Sequence, residues 1–173
     1  ARAYGPGDRS RFLEGIASWI RSGAYRVVGD GGNVLHHIHV DDAVEGIWLA
    51  ATRVEAAGEP FLFAGPETTT LADLSERIAR AVGRPLPRRH VPSGLARALA
   101  TVVDVAAHRG LAFRTGAPPL YHARLDEMTL PQSFDLTKAR RRLGFVPRVA
   151  YDEGIARTLR GDWPALARAG ATP

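Results

Sequence analysis

The stretch GDGGNVLHHIHVDDAVEGIWLAA, residues 29–51, constrains this chain more than any other. Its hydrophobic period changes halfway along. Gly29-Asp30-Gly31-Gly32 is a run of turn formers, in which glycine takes positive φ without steric cost. Val34 to Val40, rich in β-branched residues and histidine, reads as a short strand. Asp41 or Asp42 then caps a helix, and Asp42 with Glu45 three residues on has capping-box spacing. Val44, Ile47, Trp48 and Ala51 fall at i, i+3, i+4 and i+7, which is one helical face. A strand feeding a helix in this way is the building unit of α/β proteins.

The flanking segments are placed relative to that junction. Ala1 to Tyr4 looks like the end of a strand. Gly5-Pro6-Gly7 is a turn, because proline presets φ and glycine takes the left-handed position. Asp8 caps a helix with Phe12, Leu13, Ile16, Trp19 and Ile20 apolar, and Gly23 stops it. Tyr25 to Val28 is a short strand. Phe61 to Ala64 is a continuous apolar run, as in a strand buried on both faces. Thr70 caps the next helix, with Asp73 at the box position and Leu71, Leu74, Ile78 and Val82 as its face; Gly83 and Pro85 end it. Ser93 caps a helix with Leu95, Leu99, Val102, Val103 and Ala106 apolar, stopped by Gly110. Residues 111–134 are irregular around Pro118-Pro119, with one short helix between Tyr121 and Met128. Asp135 caps Leu136 to Leu143; Gly144 ends that helix and Phe145 is placed for the hydrophobic contact beyond the cap. Asp152 caps a last helix through Ile155 and Leu159, and Trp163-Pro164 begins a weakly ordered tail. There is no internal repeat. Two or three isolated strands cannot make a self-sufficient parallel sheet, since such sheets need both faces covered.

Composition closes several routes. With 173 residues the length prior is one domain, and 45% hydrophobic residues is ample for a core. The absence of cysteine removes disulfides and thiolate metal sites and suits a reducing, cytoplasmic setting. No apolar run reaches the ~20 residues of a membrane span. The net charge of +5 is mild, and the densest basic cluster, Lys138 to Arg142, reads as a solvated face, so no nucleic-acid partner is expected. The glycine run at 29–32 leads into a strand, whereas a dinucleotide loop opens straight into a helix N-terminus, so it is read as a plain turn. On a strand His37 and His39 share a face and His36 points away. Two histidines without cysteine do not complete a structural zinc site, so no metal is expected. The histidines then either face a substrate cleft or pack within the strand.

The motifs also carry a family likeness. Tyr4-Gly5-Pro6-Gly7-Asp8 resembles the YGPGD turn after the sixth strand of extended short-chain dehydrogenases/reductases. Residues 29–47, GDGGN followed by HVDDAVEGI, resemble a later strand-to-helix junction of that superfamily. Residues 61–83, FLFAGPETTTLADLSERIARAVG, look like its strand, glycine turn and helix in the substrate lobe. Phe134-Asp135, Lys138-Ala139, Leu143-Gly144-Phe145 and Pro147 resemble its FD-x-x-KA-x-x-x-LG-[YF]-x-P element, and Tyr151 to Ile155 resembles its closing helix. The likeness runs in order from about residue 2 to 163. Within it the 3β-hydroxysteroid and sterol dehydrogenase branch matches best. Nucleotide-sugar epimerases and dehydratases carry an arginine at the head of an R-D-[FY]-[IV]-H-V strand; here that position is Leu35. Leucine cannot clamp a diphosphate as a guanidinium does. Residues 87–110 and Pro118-Pro119-Leu120 resemble an insertion of the sterol branch.

The resemblance implies the following. The fold class is α/β: the C-terminal substrate-binding part of an extended Rossmann-fold enzyme, with few strands, mostly helices and loops, and without the N-terminal βαβ half, all of 1–173 being that portion. The family's TGxxGxxG turn and catalytic Tyr-x-x-x-Lys are absent; Asp8, Gly29, Leu125 and Ile155 stand four residues after the four tyrosines. No catalytic residue is therefore assigned, and the chain alone is expected to be inactive. Cofactor contacts fall to Tyr4, Gly5 and Pro6. Substrate contacts fall to Tyr4, Gly7, Phe12, His37 and His39. NAD or NADP belongs to the intact enzyme, and neither is expected to bind this chain alone. The partner is a small, apolar hydroxyl or keto substrate; a weak peripheral membrane contact through residues 94–109 and a homodimer of the intact enzyme are the further possibilities. The alternatives are a nucleotide-sugar epimerase/dehydratase fragment and a non-catalytic remnant or binding module.

Overall fold

The computed structural model describes residues 1–8, 10, 12–87, 90–108 and 131–161. Its elements in chain order are β1 (Ala3–Tyr4), α1 (Phe12–Arg21), β2 (Val27–Val28), β3 (Val34–Leu35), β4 (Ile38–His39), α2 (Val40–Thr52), β5 (Thr69–Thr70), α3 (Leu71–Ala81), β6 (His90–Val91), α4 (Ser93–His108), α5 (Thr137–Leu143) and α6 (Tyr151–Arg160). The chain is thus α/β, with few and short strands. They pair as β1–β4 parallel, β2–β6 parallel and β3–β5 antiparallel. The expected helix between Tyr121 and Met128, the stop at Gly110 and the tail from Trp163 lie outside the described residues. Among the described residues no helix is long and apolar enough to cross a membrane.

Several elements form as their residues dictate. Asp8 N–H donates to the Gly5 carbonyl across Pro6 and Gly7, and Gly7 has φ 78°, as a type II turn requires. Asp8 accepts from Ser10 N–H and Ser10 Oγ just before α1. Thr70 caps α3 by accepting from Asp73 N–H at 3.1 Å. Gly144 takes φ 70° after α5, Phe145 N–H donates to the Ala139 carbonyl, and the Phe145 ring is fully buried.

The strand expected over Val34 to Val40 is instead two strands. β3 pairs with β5 and β4 pairs with β1, so the backbone changes partner at His36-His37. α2 then starts at Val40, earlier than expected, and its cap is His39, whose Nδ1 accepts from Asp41 N–H at 3.2 Å. Asp42 does not cap. It is buried and accepts from the backbone N–H groups of Arg148 and Val149, at 2.9 and 3.0 Å. Asp152 does not cap α6 either; that position is Ala150, and Asp152 lies 3.2 Å from Arg77 on α3. Asp135 accepts from Thr137 N–H one residue ahead of the helix cap position at Leu136.

The main core joins α1, α3 and α6. Leu13, Ile16 and Ile20 meet Leu71, Leu74, Ile78, Tyr151 and Ile155, with Tyr4, Tyr25 and Leu35 inserted from the strands. A second core gathers Ile38, Ala64, Leu136, Ala139 and Phe145. Phe61 to Ala64 runs beside His37 through a hydrogen bond from Gly65 N–H, but forms no ladder, and Leu62 is 54% exposed. The doubly buried strand expected there is therefore extended chain covered on one side.

Two helices turn their larger apolar residues outward. On α2 the buried positions are Asp42 and Gly46, and a Cβ on Gly46 would come within 2.8 Å of the Phe63 ring. Its large apolar residues Val44, Ile47 and Trp48 point outward, Trp48 being 67% exposed. On α4, Ala96 and Ala100 pack against Val28 and Val91, while Leu95, Leu99 and Val102 lie outside. Small residues make the close contacts because the backbones approach closely there; the larger side chains are left over.

Candidate cofactor and substrate site

β1 delivers Tyr4 into the main core and hands the chain to the Gly5-Pro6-Gly7 turn. The turn, with Ala3, Tyr4, Asp8 and Val40, lines a pocket of about 190 Å³. Gly5 is required there: a Cβ would stand 2.5 Å from Val40 Cγ1.

Beneath the turn lies an aromatic cluster. The Tyr4 ring stacks on Tyr151 with centroids 5.9 Å apart and planes 5° from parallel. His39 meets Tyr4 edge-on at 5.5 Å, and His37 meets it at 6.4 Å. His37 also packs edge-on against Phe12 at 5.3 Å, and the Arg2 guanidinium sits 4.7 Å over the other ring contact of this group, Phe12. Offset and edge-on rings are the favoured aromatic arrangements. Tyr4, Phe12, His37 and His39 thus come together, while Pro6 and Gly7 lie at the pocket wall with Gly5. Tyr151 completes the cluster. Its hydroxyl accepts from His37 N–H at 2.9 Å and lies 3.5 Å from the Leu35 carbonyl. Sequence reasoning passed over Tyr151 as a site residue; the available signal was an aromatic at the first position of an amphipathic helix.

His36 points away, as alternation along a strand requires. Phe134 N–H donates to its Nδ1, so the proton sits on Nε2, which donates to the Gly65 carbonyl at 3.0 Å. Leu35 is 2% exposed, within the main core.

Burial dominates the site's electrostatics. It pushes the Tyr4 phenol well above its ordinary range, with Tyr151, Asp42 and Glu67 adding to the effect. It raises Tyr151 to about 12. It lowers His37 to about 4, helped by Arg2, the amino terminus and His36. His39 is lowered too, burial outweighing the opposing pull of Asp41. Desolvation of the charged form is the common cause. Near neutral pH the four rings are uncharged. They can shape, orient and exclude water, while the chain's lysine, Lys138, is paired with Glu59 instead.

Among the described residues no group of three or more His, Asp or Glu could hold a metal ion. Nor does a glycine turn there open straight into a helix N-terminus, since Gly29–Gly32 runs toward β3. The pocket at the Gly5–Gly7 turn, about 190 Å³, has the volume of a small group and not of a whole dinucleotide.

The chain is similar to the NAD dependent epimerase/dehydratase family, whose model matches residues 1–64, the stretch that holds this turn and strand. A 2-alkyl-3-oxoalkanoate reductase from Stenotrophomonas maltophilia is 27% identical over 158 residues, which are 89% of this chain and 47% of that protein. The 3beta-hydroxysteroid-dehydrogenase/decarboxylase isoform 1 of Arabidopsis thaliana is 25% identical over 165 residues, covering 90% of this chain and 37% of that protein. A nucleoside-diphosphate-sugar epimerase structure from Pseudomonas aeruginosa superposes with a TM-score of 0.66 at 26% identity, covering 97% of this chain and 46% of that one. The chain therefore spans less than half the length of these three proteins.

Proposed function

We propose that this chain is the substrate-binding, C-terminal portion of an NAD(P)-dependent oxidoreductase acting on an apolar hydroxyl or keto substrate. The observation that carries the branch is Leu35. By resemblance, a nucleotide-sugar enzyme places a phosphate-clamping arginine there; here an apolar side chain is packed in the core. The two curated relatives named above carry the names of a reductase and a dehydrogenase of hydroxy or oxo compounds, which agrees with that choice.

Two surfaces support the reading that further polypeptide supplies the cofactor half. β1 pairs only with β4 among the described residues, leaving its outer edge for another parallel strand. α2 turns Val44, Ile47 and Trp48 outward, and an exposed apolar face of this kind calls for cover. When bound, the dinucleotide would supply hydride transfer at the substrate carbon. The Gly5–Gly7 turn would close one side of the reacting region, and the neutral cluster beneath it would hold the turn rigid and dry. The enzyme is read as cytoplasmic.

The test uses the complete gene product containing this chain. Calorimetric titration with UDP-glucose should give no heat of binding, while a 3β-hydroxysteroid or a medium-chain 3-hydroxy acid should drive NAD(P) reduction. Micromolar UDP-glucose binding together with inactivity on both alcohols would overturn the proposal.

A further inference from the structure

Little backbone holds the Gly5–Gly7 turn in place. β1, which delivers it, is two residues long and pairs only with β4 among the described residues, Tyr4 standing opposite His39. A pairing that short does not fix a loop by itself. The anchor is the Tyr4 side chain, 3% exposed and one residue ahead of the turn. Its seat is the first turn of α6. The Tyr4 ring lies parallel to the Tyr151 ring at 5.9 Å, and its hydroxyl occupies the space over Gly154, where a Cβ would stand 2.5 Å from that oxygen. Tyr151 and Gly154 are three residues apart on α6 and so share a helix face.

Tyr151 is held at both ends. Its backbone N–H donates to Glu67 Oε1 at 3.1 Å, and Glu67 lies 3.7 Å from Arg77 on α3. Its hydroxyl reaches the point where the chain leaves β3 for β4. There it accepts from His37 N–H at 2.9 Å, and its own proton is left for the Leu35 carbonyl, 3.5 Å away. Leu35, His37 and Tyr151 are all buried, so the phenol rather than solvent satisfies these backbone groups. One side chain thus ties α6 to the strand crossover and, through its ring, to Tyr4.

We propose that Tyr151 is a positioning residue for the reaction at the Gly5–Gly7 turn, setting where the turn stands through Tyr4 and the Leu35–His37 crossover. This rests on the oxidoreductase reading above. In that reading the turn closes one side of the reacting region. A residue that acts on the turn from behind changes geometry and not a binding contact, so its loss lowers kcat more than it changes KM.

The first test uses the full 173-residue chain labelled with ¹⁵N-glycine. Tyr151→Phe keeps the ring, and with it the ring current on its neighbours, but removes the hydroxyl. It should shift the Gly5 and Gly7 amide resonances. Gly154→Ala presses on Tyr4 from the other part of its seat and should move the same two amides. Ile78→Val removes one methylene from the same core on α3 and should leave both in place. Gly5 and Gly7 amides that stay unmoved in both Tyr151→Phe and Gly154→Ala overturn the proposal. The second test follows turnover of the complete gene product on the alcohol it oxidises. Tyr151→Phe should lower kcat about tenfold with KM held within about twofold, while Ile78→Val leaves both unchanged. Equal losses of kcat in Tyr151→Phe and Ile78→Val, or a change confined to KM, overturn the proposal and leave the oxidoreductase reading intact. If wild type has no dehydrogenase activity, that reading itself fails, and the amide shifts still decide whether Tyr151 sets the turn.

Discussion

Removing the carboxylate of Asp42 should cost about 3 kcal/mol of stability and loosen the site from a distance. Asp42 is 2% exposed, and its two oxygens each hold one backbone N–H, of Arg148 and of Val149. Hydrogen bonds to a charged acceptor are worth ~1.5–3 kcal/mol each, and an orphaned buried donor bears its full desolvation cost. Val149 N–H is buried and would lose about 2 kcal/mol; the part-buried Arg148 N–H recovers water and would lose about 1 kcal/mol. With a urea m-value of about 2 kcal/mol/M, Asp42→Ala should lower the unfolding midpoint by about 1.5 M. Asp42→Asn keeps one acceptor but turns its NH₂ toward the other donor, and should lose about half to two-thirds as much. The damage should also travel. Arg148 and Val149 lead directly into α6, whose Tyr151 holds His37 N–H and stacks on Tyr4. Native-state hydrogen exchange should therefore speed at Val149 and His37 together, and far less at Ile78 in α3. A midpoint shift below about 0.3 M for Asp42→Ala, with Val149 exchange unchanged, would refute this account.

Stability should fall in acid because of the buried histidines. His37 titrates at about 4 in the fold against 6.5 ordinarily, so the unfolded chain takes up the proton first; the stabilisation is complete above pH 6.5 and is lost as pH falls toward 4. At 1.36 kcal/mol per pH unit that loss reaches about 3 kcal/mol. His39, lowered as well, adds in the same direction, so His37→Phe should remove most of the pH dependence of the urea midpoint and not all of it. Gly154→Ala would bring a methyl 2.5 Å from the Tyr4 hydroxyl, in a core with no room to yield, and should cost about 1–3 kcal/mol by thermal or urea unfolding. Gly15→Ala, with nothing within 4 Å, should instead gain about 0.5–1 kcal/mol from helix propensity. Tyr151→Phe keeps the stack on Tyr4 but orphans His37 N–H, and should cost about 1–2 kcal/mol while exchange at His37 rises.

What the sequence disclosed, and what it hid, divides by the range of the interaction. Thr70 with Asp73, and Gly144 with Phe145, were legible because a cap and its partner lie within a few residues, where spacing alone fixes geometry. Asp42 looked like another cap for the same local reason. Its true partners are over a hundred residues away, and a tertiary pair of N–H donors outcompetes a helix end for a buried carboxylate. His39 capping α2 was invisible from preference, since imidazole is not a favoured cap; only the early helix start after a parallel pairing puts Nδ1 within reach. The co-location of Tyr4, His37 and His39 was foreseeable from strand alternation plus the β1 turn. Tyr151 joining them required knowing that α6 lies across α1 and α3.

The helix faces carry the same lesson further. Periodicity identified α2 and α4 correctly and gathered their larger apolar residues on one face, without saying what covers it. In the fold the tight contacts belong to Gly46, Ala96 and Ala100, because a backbone pressed against Phe63 or Val28 leaves no room for a branched side chain. Val44, Ile47 and Trp48 are consequently displaced to the opposite face of α2. A hydrophobic pattern states that a surface must be covered; it does not state which contact covers it. On α2 it is the outward face that lacks cover among the described residues, while the helix packs against β1, which pairs only with β4 there.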